Sequence, residues 1–359
     1  MYRFLLIEDA ETDIQSCKDT VDRMNEENPE INIELGVASE FNQALQELKN
    51  DYNGAIIDIK LNNGDSGNDI IRKIVNEYRI PVAVMTGTPD TILDANSPIV
   101  IYKKGESTYE KILKSLINSF KTGLFDVMGG KGILESTMNK VFWKNLYPQI
   151  RVWEELKSKG YETEKILLRY AISHIQELID LEVPAYITQE MYIKPPISER
   201  IQTGSIIRNK IDNLFYVVLS PPCDLAIHNG KIKTDRVMVC EIEEQAKINI
   251  NAIGSAVKRD KQKSALLKAI KNNHTEYYHW LPENNLFVGG YINFRNVYTF
   301  TPEEIDAEFE KSELHIQDYF VKDILSRFSA YYARQGQPDF EFDEEAEKVL
   351  QKYLESMSV

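Results

Sequence analysis

The sequence predicts an α/β protein: a doubly wound parallel sheet at the N-terminus, then an α+β module with a small β-barrel flanked by helices. Two observations carry this. Over about the first 120 residues, five short apolar runs alternate with segments of helical period, the pattern of a parallel sheet with crossover helices. From about Pro184 the texture changes to short strands and turns.

The first run, Arg3-Phe-Leu-Leu-Ile7, is a strand ending in two adjacent carboxylates, Glu8 and Asp9. From Ala10 to Met24 the residues Ile14, Cys17, Val21 and Met24 share one helical stripe. Ile31 to Ala38 alternates as a strand, and Phe41, Ala44, Leu45 and Leu48 mark the next helix. Gly54-Ala-Ile-Ile-Asp58 is an apolar run of four bounded by turn residues. It suits a central strand that delivers Asp58 to its carboxyl end. A glycine-rich turn from Asn62 to Gly67 precedes a helix through Ile70, Ile71, Ile74 and Val75. Pro81 to Met85 is the fourth strand, ended by Thr86-Gly87. Ile99 to Tyr102 is the fifth, ended by Lys103-Lys104, and Tyr109 to Phe120 is the last helix of this part.

The strand ends form a set. In a parallel sheet Glu8, Asp9, Asp58, Thr86 and Lys104 share one edge, where α/β sheets bind ligands. Three crowded carboxylates call for a hard cation, and Mg²⁺ suits them through its oxygen ligands and retained waters. A hydroxyl and an ammonium beside them can hold the oxygens of a phosphoryl group.

In order and strand placement this constellation resembles the receiver domain of two-component response regulators, over residues 1–122. The resemblance implies a flavodoxin-like (βα)5 fold, with Asp58 as phospho-acceptor and Glu8 and Asp9 as Mg²⁺ ligands. It also implies the backbone carbonyl of Lys60 as a further ligand, Thr86 as switch hydroxyl and Lys104 as the phosphate-pairing lysine. The donor it implies is the phosphohistidine of a histidine kinase. Three positions depart from the family pattern. Asn62 stands where a proline is usual, and the following glycine comes one residue late, at Gly67. Lys104-Gly105 replaces Lys-Pro, with Lys103 adjacent, so the choice between the two lysines stays open. Between Thr86 and the fifth strand, Gly87 to Pro98 leaves little room for a fourth helix, which implies a reshaped signalling face.

Length and composition agree with a cytosolic protein of two domains. The 359 residues carry a formal charge of −14, which argues against a general nucleic-acid binder. Three cysteines, Cys17, Cys223 and Cys240, with no Cys-x-x-Cys pair give neither a disulfide framework nor a zinc ribbon. No signal peptide and no long apolar run is evident, so no membrane association is expected. Residues 123–185 read as a helical linker or a dimerisation segment that would make a homodimer. Helices are expected over 134–146, 149–159 and 162–181, with His174 as a core histidine on the apolar face of the last.

Residues 186–359 form the second module. Strands are expected at 203–207, 214–220, 236–242 and 286–294, and terminal helices at 316–335 and 343–356. A basic run from Lys258 to Lys263 reads as a solvated helix face, and the aromatics from Tyr277 to Trp280 as packing. The order Thr-Gly-Ser-Ile-Ile then Phe-Tyr-Val-Val-Leu-Ser is weakly similar to the SH3-like barrel of MazF/PemK toxin ribonucleases. Asn213-Leu214 replaces the Arg-Pro of those enzymes. Cys223, Asp224 and His228 read as a structural turn, and Pro338-Asp339-Phe-Glu341 lacks the lysine of a nuclease motif. No catalytic constellation is evident in this half. Receiver, barrel and Arg-rich close together resemble receiver proteins of bacterial conflict loci, including anti-phage systems such as Detocs. The expected function is a phospho-accepting regulator that switches its C-terminal module or acts as a phosphate sink competing with a second receiver or effector protein. The alternative is a receiver-gated RNA-cleaving or RNA-binding effector.

Overall fold

The computed structural model describes residues 1–357 apart from 29, 62–66, 88–98, 131, 181–184, 199, 229 and 335–340. The turn before Gly67, the segment expected to lack a fourth helix, and Pro338-Asp339 lie outside the described residues. The chain divides into two compact units, Met1–Glu182 and Val183–Val359.

In the first unit, β1 (Tyr2–Ile7), α1 (Glu11–Glu27), β2 (Ile33–Ala38), α2 (Phe41–Glu47), β3 (Gly54–Ile57), α3 (Gly67–Glu77), β4 (Val82–Thr86), β5 (Val100–Lys103) and α4 (Tyr109–Phe120) follow in turn. The strands pair in parallel in the order β2-β1-β3-β4-β5, which is the flavodoxin-like order. Alternation along the strands feeds two layers. Phe4, Leu6, Ile56, Ala83 and Met85 pack with Ile14, Cys17 and Val21 of α1 and Ile112, Leu113 and Leu116 of α4. Leu5, Ile7, Ala55 and Ile57 pack on the other face with Ala44 of α2 and Ile70 and Ile74 of α3. The apolar stripes read in the sequence for α1, α2 and α3 face these layers, except that Val75 of α3 is 62% exposed.

The unit continues through α5 (Leu124–Met128), α6 (Ile133–Val141), a π-helical turn (Phe142–Leu146), α7 (Ile150–Ser158) and α8 (Thr163–Asp180). Trp153 of α7 is buried and meets Tyr170 of α8 edge-on at 5.6 Å. His174 is half-buried one turn on, with its ring 5.2 Å from Tyr170. Tyr170 and Leu178 stay exposed, so the apolar face of α8 is covered only in part.

In the second unit come β6 (Tyr192–Ile193), β7 (Ser205–Arg208), β8 (Phe215–Val218), β9 (Ile227–His228), β10 (Lys231–Ile232), β11 (Val237–Glu243), α9 (Gln245–Ile253) and α10 (Arg259–Ile270). After them come β12 (Tyr278–Leu281), β13 (Gly290–Phe300), α11 (Pro302–Glu308), β14 (Leu314–Ile316), α12 (Asp318–Tyr332) and α13 (Phe342–Ser356). Among the described residues the main sheet is antiparallel, in the order β12-β13-β11-β8-β7-β14-β6. The barrel-like core expected here is this antiparallel sheet, curled into a half-barrel with β12 and β6 at its edges. Val217, Leu219, Cys240, Ile292 and Phe294 pack against Val321 and Ile324 of α12. Gly204 has φ +93, and a Cβ there would stand 2.4 Å from Val321, so the turn into β7 lies directly on α12.

Two expectations shift. The strand expected at 286–294 begins at Gly290 and runs to Phe300, with Phe287 buried just ahead of it. Tyr278, His279 and Trp280, read as packing aromatics, also form an edge strand with Leu281 against β13. The basic run lies on α10, with Arg259, Lys261 and Lys263 exposed, as a solvated face requires. Every described residue of α13 is exposed. No described helix is long and apolar enough to cross a membrane.

Candidate functional site

The parallel register brings the acidic strand ends together. Ile7 of β1 pairs with Ile57 of β3, so the next residues, Glu8 and Asp58, leave adjacent strands side by side. Both backbones are held at this point: Glu8 N–H donates to the Ala38 carbonyl (3.0 Å) and Asp58 N–H to the Ile7 carbonyl (2.9 Å). Behind Asp58 runs the start of α3. Gly67 N–H donates to the Ile59 carbonyl at 2.9 Å, and a Cβ on Gly67 would stand 2.2 Å from the Asp58 carbonyl oxygen. Only glycine lets α3 approach the backbone that presents Asp58.

Lys104 closes the site from the far side of the sheet. Thr86 pairs in register with Lys103, and Lys104 N–H donates to the Thr86 carbonyl at 2.9 Å. The Lys104 ammonium then reaches three carboxylates: Glu8 Oε2 and Asp13 Oδ2 at 2.6 Å each, and Asp58 Oδ2 at 2.8 Å. Lys103 points elsewhere, with its side chain half-exposed and paired with Glu106 at 2.5 Å. Of the two lysines, Lys104 is the one whose ammonium meets Glu8 and Asp58.

Glu8 and Asp58 are both buried, and so is Thr86 beside them. Burial pushes the Glu8 carboxyl above its ordinary range, although the hydrogen bonds from Lys104 and from Ala10 N–H (3.1 Å) pull the other way. Burial opposes the charge on the Lys104 ammonium, but the hydrogen bonds it donates to Asp13, Asp58 and Glu8 outweigh that cost and hold it protonated. Lys60 N–H lies 3.4 Å from Asp58 Oδ1, at the end of the strand extension. Asp9 is half-buried two residues ahead of α1.

Among the described residues no three His, Cys, Asp or Glu side chains stand spaced to hold a metal ion. Glu8 and Asp58 do converge on a single cation, here the Lys104 ammonium. Carboxylate oxygens are the ligands Mg²⁺ accepts, with water completing its shell, so the chemistry of these two donors fits that ion.

One member of the site was missed in the sequence. Asp13 sits in the first turn of α1, off the apolar stripe, where a carboxylate reads as a helix-dipole partner. In the second unit Cys223 is exposed, with its Sγ 3.6 Å from Asp224 Oδ1, and Asp224 closes a turn by donating its N–H to the Pro221 carbonyl (3.0 Å). His228 is exposed on β9, opposite Lys231. Tyr277 packs under the Arg295 guanidinium at 3.9 Å, and Trp280 Nε1 donates to Gln245 at 3.3 Å, so these aromatics serve packing.

No protein-family model matches the chain, and no curated protein matches it. Among solved structures it is similar to the receiver domain of the PhyR response regulator of Erythrobacter litoralis, at 22% identity and a TM-score of 0.28, over 34% of this chain and 90% of that one. It is similar to a CheY-like response regulator receiver domain from Methylobacillus flagellatus, at 15% identity and a TM-score of 0.27, over 32% of this chain and 98% of that one. It is also similar to the response regulator PhyR from Brucella abortus, at 25% identity and a TM-score of 0.28, over 34% of this chain and 49% of that one.

Proposed function

We propose that residues 1–122 form a receiver domain that accepts a phosphoryl group on Asp58 from the phosphohistidine of a histidine kinase. One observation carries this reading: a single ammonium, on Lys104, bridges Glu8 and Asp58 at the carboxyl edge of a flavodoxin-like sheet. An Asp58 oxygen attacks phosphorus as the bond from phosphorus to the histidine nitrogen breaks, and the leaving imidazole takes up a proton. Glu8 and Asp58, with Asp9 and the Lys60 carbonyl, would hold Mg²⁺, which supplies positive charge for the phosphoryl oxygens. Lys104 pairs with one of those oxygens, and Thr86 contributes its hydroxyl to another.

The chemistry supports two outputs. The phosphoryl group biases the conformation of the module at 186–359, or the protein buffers phosphate in competition with a second receiver. Trypsin digestion of the second unit, with and without acetyl phosphate, separates them: a changed cleavage rate supports switching and an unchanged one supports buffering.

The first prediction tests the acceptor. Incubation with acetyl phosphate and Mg²⁺ should add one phosphoryl mass to the wild-type protein. The gain should be absent in Asp58→Asn, which keeps the shape but not the nucleophile, and absent without Mg²⁺. A folded Asp58→Asn protein that still gains that mass would remove Asp58 from the role.

A further inference from the structure

Asp13 belongs to the site by distance yet has no part in the chemistry above. Its Oδ2 lies as close to the Lys104 ammonium as Glu8 does, and closer than Asp58. An ammonium has three N–H donors, and these three carboxylates take all of them. Two of the acceptors are buried at strand ends. Asp13 instead comes from helix α1, with its side chain about one-third exposed. Lys104 extends from the end of β5, an edge strand separated from β1 by β3 and β4. A four-carbon stem of that kind is flexible, and a carboxylate on α1 fixes where its end rests.

A phosphoryl group on Asp58 changes this balance. Its oxygens need the Lys104 ammonium, while Asp13 already holds one of the three donors and faces the new negative charge across it. Like charges at this range repel, and a partly buried setting screens them less than water does. We propose that Asp13 is a positioning residue for Lys104, which holds the ammonium on the α1 side in competition with the phosphoryl oxygens and so shortens the life of the phosphoryl group on Asp58. The proposal rests on Asp58 being the acceptor. The loss step is hydrolysis: a water oxygen attacks phosphorus, the bond from phosphorus to the Asp58 oxygen breaks, and Asp58 returns to carboxylate as inorganic phosphate leaves with the water's protons.

Two measurements on the full chain test it. The first needs no phosphate: brief acetylation with an amine-reactive ester, read by peptide mass spectrometry as the ratio of Lys104 to Lys103 labelling. Asp13→Asn should raise this ratio by about three- to tenfold, the scale of the net contribution of one ordinary hydrogen bond. An unchanged ratio would show that Asp13 does not hold the lysine. The second is the decay of the acetyl-phosphate-loaded protein after the donor is removed. Asp13→Asn should lengthen the half-life by about three- to tenfold in the wild-type background, and by less than about twofold when Lys104→Ala is also present. Equal lengthening in both backgrounds would overturn the proposal in favour of a bare through-space charge; an unchanged or shorter half-life would overturn it outright. If the wild-type protein takes no phosphoryl group at all, the acceptor reading and the lifetime claim fall together, and the labelling ratio still decides whether Asp13 positions Lys104.

Discussion

Lys104 sets one positive charge against Glu8, Asp13 and Asp58, and its loss leaves two buried carboxylates facing each other. Lys104→Ala should therefore lower thermal stability. The cost should be below the roughly 3–5 kcal/mol seen when a fully buried pair is broken, because the lysine side chain is 23% exposed. Added Mg²⁺ should recover more of that loss in the variant than it adds to the wild type, since a cation can replace the missing charge. Equal Mg²⁺ responses in thermal melts would count against the shared-cation geometry. Which lysine turns toward Glu8 and Asp58 was within reach of the sequence. Tyr102 is buried and Lys103 exposed along β5, so period-two alternation already returns the next side chain, Lys104, to the face of Tyr102. Asp13 was not within reach, because nothing in a helix's first turn distinguishes a solvated carboxylate from one aimed at a distant lysine.

At the scale of the element, apolar strands and striped helices were legible because each long run has one way to bury itself. The placing of Glu8, Asp58, Thr86 and Lys104 at one edge of the sheet followed from where those runs stop. Less legible were short strands whose existence depends on a partner far along the chain. Tyr192-Ile193 and Leu314 to Ile316 pair across more than a hundred residues, and Tyr278 to Leu281 becomes a strand only through β13. The glycine that comes one position late in the turn after Asp58 has a structural reason that spacing could not supply: α3 packs onto the backbone of Asp58 and Ile59. Gly67→Ala should push that backbone aside, at a cost of about 1–3 kcal/mol. Phosphoryl uptake from acetyl phosphate should fall with it. A variant with the wild-type urea midpoint and uptake would mean the contact relaxes freely.

For the whole molecule, the two compact units predict two transitions in calorimetry, and one histidine should tell them apart. His279 in β12 is buried, and its Nδ1 has no hydrogen-bond partner. Asp323 is 3.9 Å away and exposed, too far and too solvated to offset the burial. Burial, with the Arg327 guanidinium adding repulsion, pushes the imidazole down to about 3. The unfolded chain would take up a proton at about pH 6.5, whereas the folded unit resists it. The stabilising contribution is therefore full above that pH and is lost as pH falls toward 3, at up to about 1.4 kcal/mol per pH unit. The transition of the second unit should move down with acid in the wild type and less so in His279→Gln. The same slope in both would place the pH dependence elsewhere. The sequence did not announce His279's burial, because that depends on how distant strands close around it.

Helix α13 carries Val349, Leu350, Tyr353 and Leu354, all of them more than half exposed. A fifteen-residue helix with so little surface withdrawn from water is held mainly by its own backbone bonds, which are marginal at that length. Its amide protons should therefore trade for deuterium through local fraying, orders of magnitude sooner than those of β11 or β13, which open only when their sheet does. In a native-state exchange experiment this helix would go dark first, giving an internal clock against which the protection of the rest of the second unit can be read.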